Sequence, residues 1–79
     1  MKREVVFPKL SAKTDEGVLV SWEKKVGDQV TEGDVLYEVE TDKTILEVES
    51  PYTGELLEIK IPKGSKVDVD EVLAIMEVE

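Results

Sequence analysis

The 79-residue sequence predicts an all-β sandwich or barrel built from about eight short strands. Glycine or proline recurs every few residues, and each occurrence is a turn signal between short apolar runs. Val and Ile dominate the apolar residues, which favours strands over helices. The one helical candidate, residues 22–26, follows a strand-like run and is closed off by Gly27. A chain of this length forms a single domain with a modest core.

The strands can be assigned in order between these turn signals. They are predicted at residues 5–7, 18–22, 29–31, 35–39, 45–49, 55–61, 66–69 and 72–76. Pro8 ends the first strand or holds it at a sheet edge, because proline cannot donate a ladder hydrogen bond. Residues 9–16 are polar and predict a surface loop. Gly27-Asp28 and Gly33-Asp34 mark tight turns on either side of the third strand.

An internal repeat with an offset of 37 residues relates the two halves of the chain. The matched positions are Gly17 with Gly54, Leu19 with Leu56, Trp22 with Ile59, Gly27 with Gly64, Val30 with Val67, Asp34-Val35-Leu36 with Glu71-Val72-Leu73, and Val39 with Met76. The repeat predicts two sheets related by an approximate two-fold axis, each burying one apolar face against the other. The expected core is Val18, Val20, Trp22, Val30, Val35, Val39, Leu46, Val48, Leu57, Ile59, Val67, Val72, Leu73 and Ile75.

The middle of the chain is predicted to be a β-hairpin with Lys43 at its tip. The connecting segment, residues 40–44, contains no Gly or Asn, which disfavours a two-residue type I′ turn. A four-residue connection around a type I turn fits better, with Asp42 and Lys43 at its corner. The repeat places the counterpart of Lys43 where the chain starts and stops. We therefore expect the hairpin to join the two sheets at one end and the chain termini to lie at the other.

Composition excludes several kinds of chemistry. There is no Cys and no His, so disulfides, thiol nucleophiles, thiolate metal sites and the usual general base are absent. No catalytic residue and no metal ligand is predicted. No apolar run approaches the ~20 residues of a membrane helix. The apolar run at the start of the chain is too short for a signal peptide. These features predict a cytoplasmic domain that does not bind a membrane.

The charge balance also limits the partners. Ten basic residues face nineteen acidic ones, for a net charge of −9. Such a surface repels phosphate backbones, so no nucleic-acid partner is expected. The charge either keeps a small domain soluble and monomeric or steers it to basic partner surfaces.

Taken in order, these motifs are similar to the lipoyl domain of the acyltransferase component of 2-oxo acid dehydrogenase complexes. The matching segments are Glu16-Gly17, Trp22, Gly27-Asp28 with Val30, residues 33–36, residues 38–44, Glu47-Val48, Ser50-Pro51 and Gly54. The resemblance covers nearly the whole chain. It implies a flattened β-barrel or sandwich of two four-stranded antiparallel sheets with quasi-two-fold symmetry. It also implies that residues 1–79 are a carrier domain excised from a longer acyltransferase chain.

The resemblance implies that Lys43 is the lipoylation site and that lipoic acid is the covalent cofactor. Glu40, Asp42 and Thr44 are then candidates for recognition by a lipoate protein ligase or by other partners. Leu10 and Ser11 belong to the loop that the decarboxylase component is expected to read, and they look more like pyruvate-type members. Two positions depart from the family pattern, Thr44 where Ala is commoner and Asp70 where many members have Gly. The second departure puts the turn before the last strand in doubt.

The expected role is that of a non-catalytic carrier. A free lysine amine, with a pKa near ~10.4, is mostly protonated at neutral pH and is an acceptor for a ligase rather than a Schiff-base catalyst. The resemblance implies that the arm carries acyl groups and electrons between the decarboxylase, the acyltransferase catalytic domain and dihydrolipoamide dehydrogenase. A tethered carrier reacts as if it were present at about millimolar concentration.

Other readings share part of this pattern. A biotinyl carrier has the same fold and hairpin lysine, but it typically flanks the lysine with methionines, whereas Met1 and Met76 lie elsewhere. A glycine-cleavage carrier is longer and has added helices. The composition also agrees with a third interpretation, an unmodified β-barrel module that binds peptide through an edge strand. Ile45, if it faces away from the core, would be an apolar side chain beside the lysine.

Overall fold

A computed structural model describes residues 1–10, 15–42 and 44–79 of the protein. Its strands are β1 (Lys2–Val6), β2 (Glu16–Trp22), β3 (Gln29–Val30), β4 (Val35–Glu40), β5 (Ile45–Glu49), β6 (Gly54–Ile59), β7 (Lys66–Asp68) and β8 (Val72–Val78). They form two antiparallel sheets, a terminal sheet of order β1-β8-β6-β3 and a hairpin sheet of order β5-β4-β2-β7. The predicted sandwich of two four-stranded sheets is confirmed. In the described ranges, no helix is long and apolar enough to span a bilayer.

The predicted repeat relates the two sheets strand by strand. An offset of 37 residues carries β2, β3 and β4 onto β6, β7 and β8. The strand order of the hairpin sheet then corresponds to that of the terminal sheet, with β5 in the place of β1. Backbone hydrogen bonds repeat as well: Gly27 N donates to Leu56 O at 2.7 Å, and Gly64 N donates to Leu19 O at 2.6 Å. The internal duplication is therefore a property of the fold and not only of the sequence.

The turn at Asp70 keeps the geometry of its glycine counterpart. Gly33 has a φ of 96°, and Asp70, 37 residues later, has a φ of 72°. Aspartate tolerates the left-handed region better than most residues. The doubt that Asp70 raised about this turn is thus removed, since the side chain changes and the backbone conformation does not.

The core differs from the predicted one in which residues of each strand face inward. Val30, Val39, Val48, Val67 and Leu73 are buried as expected. Trp22, Leu46 and Ile59 are partly buried and pack against the core, so they also belong to it. Val18 and Val20 are 40% and 37% exposed, which contradicts the prediction, and Val35, Leu57, Val72 and Ile75 are half-buried. The prediction missed eight buried residues: Val5, Phe7, Leu19, Leu36, Tyr37, Leu56, Ala74 and Met76.

β-Bulges explain this difference. The pairing of β2 with β4 shifts between Leu19 and Ser21, so Leu19 and Trp22 both face the core although they are three residues apart. Strict alternation counted back from Trp22 puts Val20 and Val18 inside, which is wrong by one residue. The same bulge recurs in β6, between Leu56 and Glu58.

The hairpin lies within one sheet and does not join the two, contrary to the prediction, because β4 and β5 pair with each other in the hairpin sheet. The chain termini lie opposite the hairpin, as predicted. β1 starts at the N-terminus and β5 starts at the hairpin tip. Both strands end at one shared groove, which therefore lies between the termini and the tip. Thr41 N donates to Thr44 O at 2.8 Å, and the corresponding bond at the termini joins Val78 N to Met1 O at 2.7 Å. The domain is 35 Å long.

Two glycines allow close approach of neighbouring strands. A Cβ atom on Gly54 would lie 2.0 Å from the carbonyl oxygen of Glu77, and one on Gly17 would lie 2.9 Å from that of Glu40. Because both obstacles are backbone atoms of paired strands, no side-chain rotation relieves the clash. These equivalent positions require glycine for space.

We expect Gly54→Ala to lower the free energy of unfolding by about 2–4 kcal/mol, because β6 must move away from β8. Urea unfolding followed by circular dichroism measures the change. Gly64→Ala is an informative comparison, since its Cβ meets nothing within 4 Å and only its φ of 90° is unfavourable. Equal losses for the two variants would show that space at Gly54 is not the constraint.

Tyr37 is fully buried, and its hydroxyl has no hydrogen-bond partner among the described residues. Its ring packs on Trp22 with ring centroids 5.2 Å apart. Burial raises the pKa of the Tyr37 hydroxyl well above its ordinary value of 10.0, because the phenolate is poorly solvated in the core. The folded protein therefore retains a proton that the unfolded chain loses in alkaline solution.

This proton makes stability depend on pH. Above pH 10 the unfolded state binds fewer protons than the native state, so the free energy of unfolding falls by about 1.4 kcal/mol per pH unit through this one group. Below pH 9 the contribution is constant. In Tyr37→Phe this dependence is absent, while stability at pH 7 stays the same or rises by up to about 1 kcal/mol. Urea midpoints between pH 8 and about 11.5 test this, and parallel curves for both proteins would contradict it.

Candidate functional site at the hairpin tip

The hairpin tip is held by the ladder between β4 and β5. Glu40 pairs with Ile45, and four residues connect them, as predicted. Thr41 closes the connection twice, through its backbone N at 2.8 Å and its Oγ1 at 3.3 Å from Thr44 O. A type I′ turn requires positive φ at its central residues. Asp42 does not have a positive φ, since Asp70 is the one non-glycine residue in the described ranges that does.

The predicted site residues fall into three groups. Glu40, Asp42 and Thr44 lie together at the tip and are exposed. Leu10 is half-buried and packs against the core. Lys43 and Ser11 lie outside the described residues, so their roles stay predictions. The structure thus brings together the charged and polar neighbours of position 43, at the end of the domain farthest from the termini.

A shallow groove of about 250 Å³ adjoins the tip, and we call it the tip groove. Its lining comprises Glu16, Gly17, Val18, Glu40, Thr41, Asp42 and Lys66. Lys66 Nζ lies 2.6 Å from Glu16 Oε2, and this hydrogen-bonded pair raises the pKa of Lys66. Sequence analysis did not place Lys66 here. The available signal was the repeat, which predicts that β7 lies against β2 as β3 lies against β6.

The outer face of the hairpin sheet combines apolar and acidic side chains near the tip. Val18, Glu40 and Ile45 lie in one row across β2, β4 and β5. Ile45 is 53% exposed, so it does face away from the core beside position 43. One row further, Glu38 directly opposes Glu47. Like charges in this arrangement repel each other, and neither carboxylate has an ion-pair partner within the described residues.

Known proteins resemble this chain over nearly its whole length. Residues 3–76 match the model of the Biotin_lipoyl family, which is described as biotin-requiring enzyme. The chain belongs to the biotin/lipoyl family. A curated relative from Caenorhabditis elegans, the dihydrolipoyllysine-residue acetyltransferase component of mitochondrial pyruvate dehydrogenase complex, is 47% identical over 73 residues. That alignment covers 91% of this chain and 14% of the relative.

Two solved structures share the fold of this chain. The lipoyl domain of the 2-oxoglutarate dehydrogenase complex from Azotobacter vinelandii matches with a TM-score of 0.74 and 27% identity, covering 96% of this chain and 98% of that domain. A single-chain, multi-domain long-chain acyl-CoA carboxylase matches with a TM-score of 0.82 but only 14% identity, covering 99% of this chain and 7% of that protein. The second likeness shows the fold alone.

These findings confirm the resemblance to the lipoyl domain of an acyltransferase component. The chain spans between 12% and 20% of the length of the curated relatives it matches. Membership of the biotin/lipoyl family implies a covalently attached lipoic acid or biotin. The tip fits such a group, because the residues before and after position 43 are both exposed.

Proposed function

We propose that the protein is a non-catalytic carrier whose swinging arm is a lipoyl group on Lys43. The observation that supports this most directly is the tip itself. Asp42 and Thr44 are exposed on either side of position 43, on a connection closed by the Thr41–Thr44 hydrogen bonds. An arm attached between them would extend from the connection between two paired strands.

The lipoyl group would supply a disulfide that accepts an acyl group and electrons, a chemistry that a chain without Cys does not have. The protein's own residues position the arm for its partners. The β4–β5 ladder orders the backbone on either side of the attachment position, from Glu40 and from Ile45 onward. A carrier attached in this way reaches its acceptor at a high effective concentration.

The proposed partners are a lipoate protein ligase, a decarboxylase, an acyltransferase catalytic domain and dihydrolipoamide dehydrogenase. Residues 1–79 would then be one domain of a longer acyltransferase chain, in keeping with the small share of each relative that they match. Identity of 47% to an acetyltransferase component of pyruvate dehydrogenase complex favours acetyl as the acyl group.

Modification with lipoate tests the attachment site. We expect the intact mass of the chain to rise by one lipoyl group after incubation with lipoate, ATP and a lipoate ligase. Lys43→Arg should abolish the increase, and Lys66→Arg, which changes the lysine in the tip groove, should leave it unchanged.

Biotin provides the decisive contrast. An adduct that forms only with biotin and a biotin ligase would make the protein a biotinyl carrier. No adduct with either cofactor would contradict the carrier proposal and favour an unmodified interaction module.

Asp42 is proposed to be read by the ligase, because it is an exposed carboxylate next to the modified position. Loss of one charge-assisted hydrogen bond should slow lipoylation of Asp42→Ala roughly tenfold or more, with no change in stability. Glu55→Ala, an exposed carboxylate change on β6, is the matched control. Equal initial rates for the two variants, measured by mass spectrometry, would remove Asp42 from the recognition surface.

A further inference from the structure

A second groove lies where the edge strands β1 and β5 end, on the approximate two-fold axis. We call it the seam groove. It has a volume of about 270 Å³, and its lining includes Val5, Val6, Pro8, Val48, Glu49 and Pro51. These residues form pairs, because β1 and β5 hold equivalent edge positions in the two sheets and correspond at an offset of 43 residues: Val5 corresponds to Val48, Val6 to Glu49 and Pro8 to Pro51. The duplication therefore creates an apolar groove at its own axis.

Tyr37 also lines this groove and breaks its symmetry. Its counterpart in the repeat is Ala74, which is buried and leaves room for the larger ring. The Tyr37 hydroxyl is buried without a partner among the described residues. A buried hydroxyl in this state lacks a hydrogen bond that folded proteins nearly always provide. The groove thus lies beside a buried ring whose hydroxyl is not used by the described residues.

The two strands beside the groove have free edges. β1 is the outer strand of the terminal sheet and β5 is the outer strand of the hairpin sheet, and no described strand pairs with their outward sides. The seam between them is therefore open. Edge strands present backbone N–H and C=O groups that an extended peptide can pair with, while grooves beside them accept alternate side chains.

The rim of the groove is acidic. Glu4 and Glu49 line it, and neither takes part in an ion pair within the described residues. Among the residues that the structure describes, no basic side chain lines the groove. A cationic partner is therefore favoured over an anionic one, at short range by this rim and at longer range by the net charge of −9.

We propose that the seam groove binds an extended, basic peptide segment of a partner protein. The segment pairs with the free edge of β1 or β5 and places an uncharged side chain in the groove. Its lysine or arginine residues lie against Glu4 and Glu49. This site is separate from the tip, because the groove adjoins the end of β5 and the tip adjoins its start.

A blocked synthetic peptide tests the proposal on the unmodified 79-residue chain. The probe alternates lysine with valine and has one central glutamine, and the control peptide has glutamate in place of every lysine. Amide NMR titration should show saturable shifts at Val5, Val6, Val48 and Glu49 with the basic probe only. Asp42 and Thr44 at the tip should not shift, which keeps the result independent of lipoylation.

Two variants locate the binding energy. Glu49→Lys should weaken binding about fivefold or more, whereas Glu55→Lys, the same charge change on β6, should weaken it less than twofold. Absence of saturable shifts, shifts outside the groove, or equal effects of the two charge changes would overturn the proposal.

Discussion

The apolar layer between the two sheets is the interaction on which the rest of the structure depends. The chain has no disulfide, and a domain of this size has a small core, so nearly all of its cohesion comes from this layer. Leu19 and Leu56, equivalent in the repeat, are both completely buried in it. Tyr37 and Ala74, which are also equivalent in the repeat, are both completely buried although one side chain is large and the other small.

This layer also anchors the strand that leads to the tip. β4 contributes Leu36, Tyr37 and Val39 to the layer, and the same strand continues to Glu40 at the tip. The hydrogen-bond ladder then transmits that anchoring to Thr41 and Thr44. A carrier benefits from this arrangement, because the arm supplies the movement while its attachment point stays fixed. The acidic and apolar residues beside the tip remain available to partners, as no core contact uses them.

The carboxylates on the surface affect both stability and the choice of partner. Directly opposed Glu38 and Glu47 cost little on a solvated face, where water screens the repulsion. The uncompensated carboxylates give the surface a negative field, which favours encounters with basic partners and disfavours nucleic acid. The seam groove and the tip share this field but present different chemistry: a free strand edge with a buried hydroxyl in one case, a modifiable lysine position in the other.

Local signals in the sequence were sufficient for the strand count, the turns, the repeat and the hairpin. Glycines and prolines set the chain reversals, and apolar residues at an offset of 37 set the symmetry. The same signals placed Glu40, Asp42 and Thr44 together at the tip, since they are neighbours in the chain. Only the tertiary structure decided which residues face inward, because a bulge in β2 shifts the phase of the alternation and leaves Val18 and Val20 outside. Long-range pairing brought Lys66 to the tip, because contacts between distant segments depend on the assembled sheets.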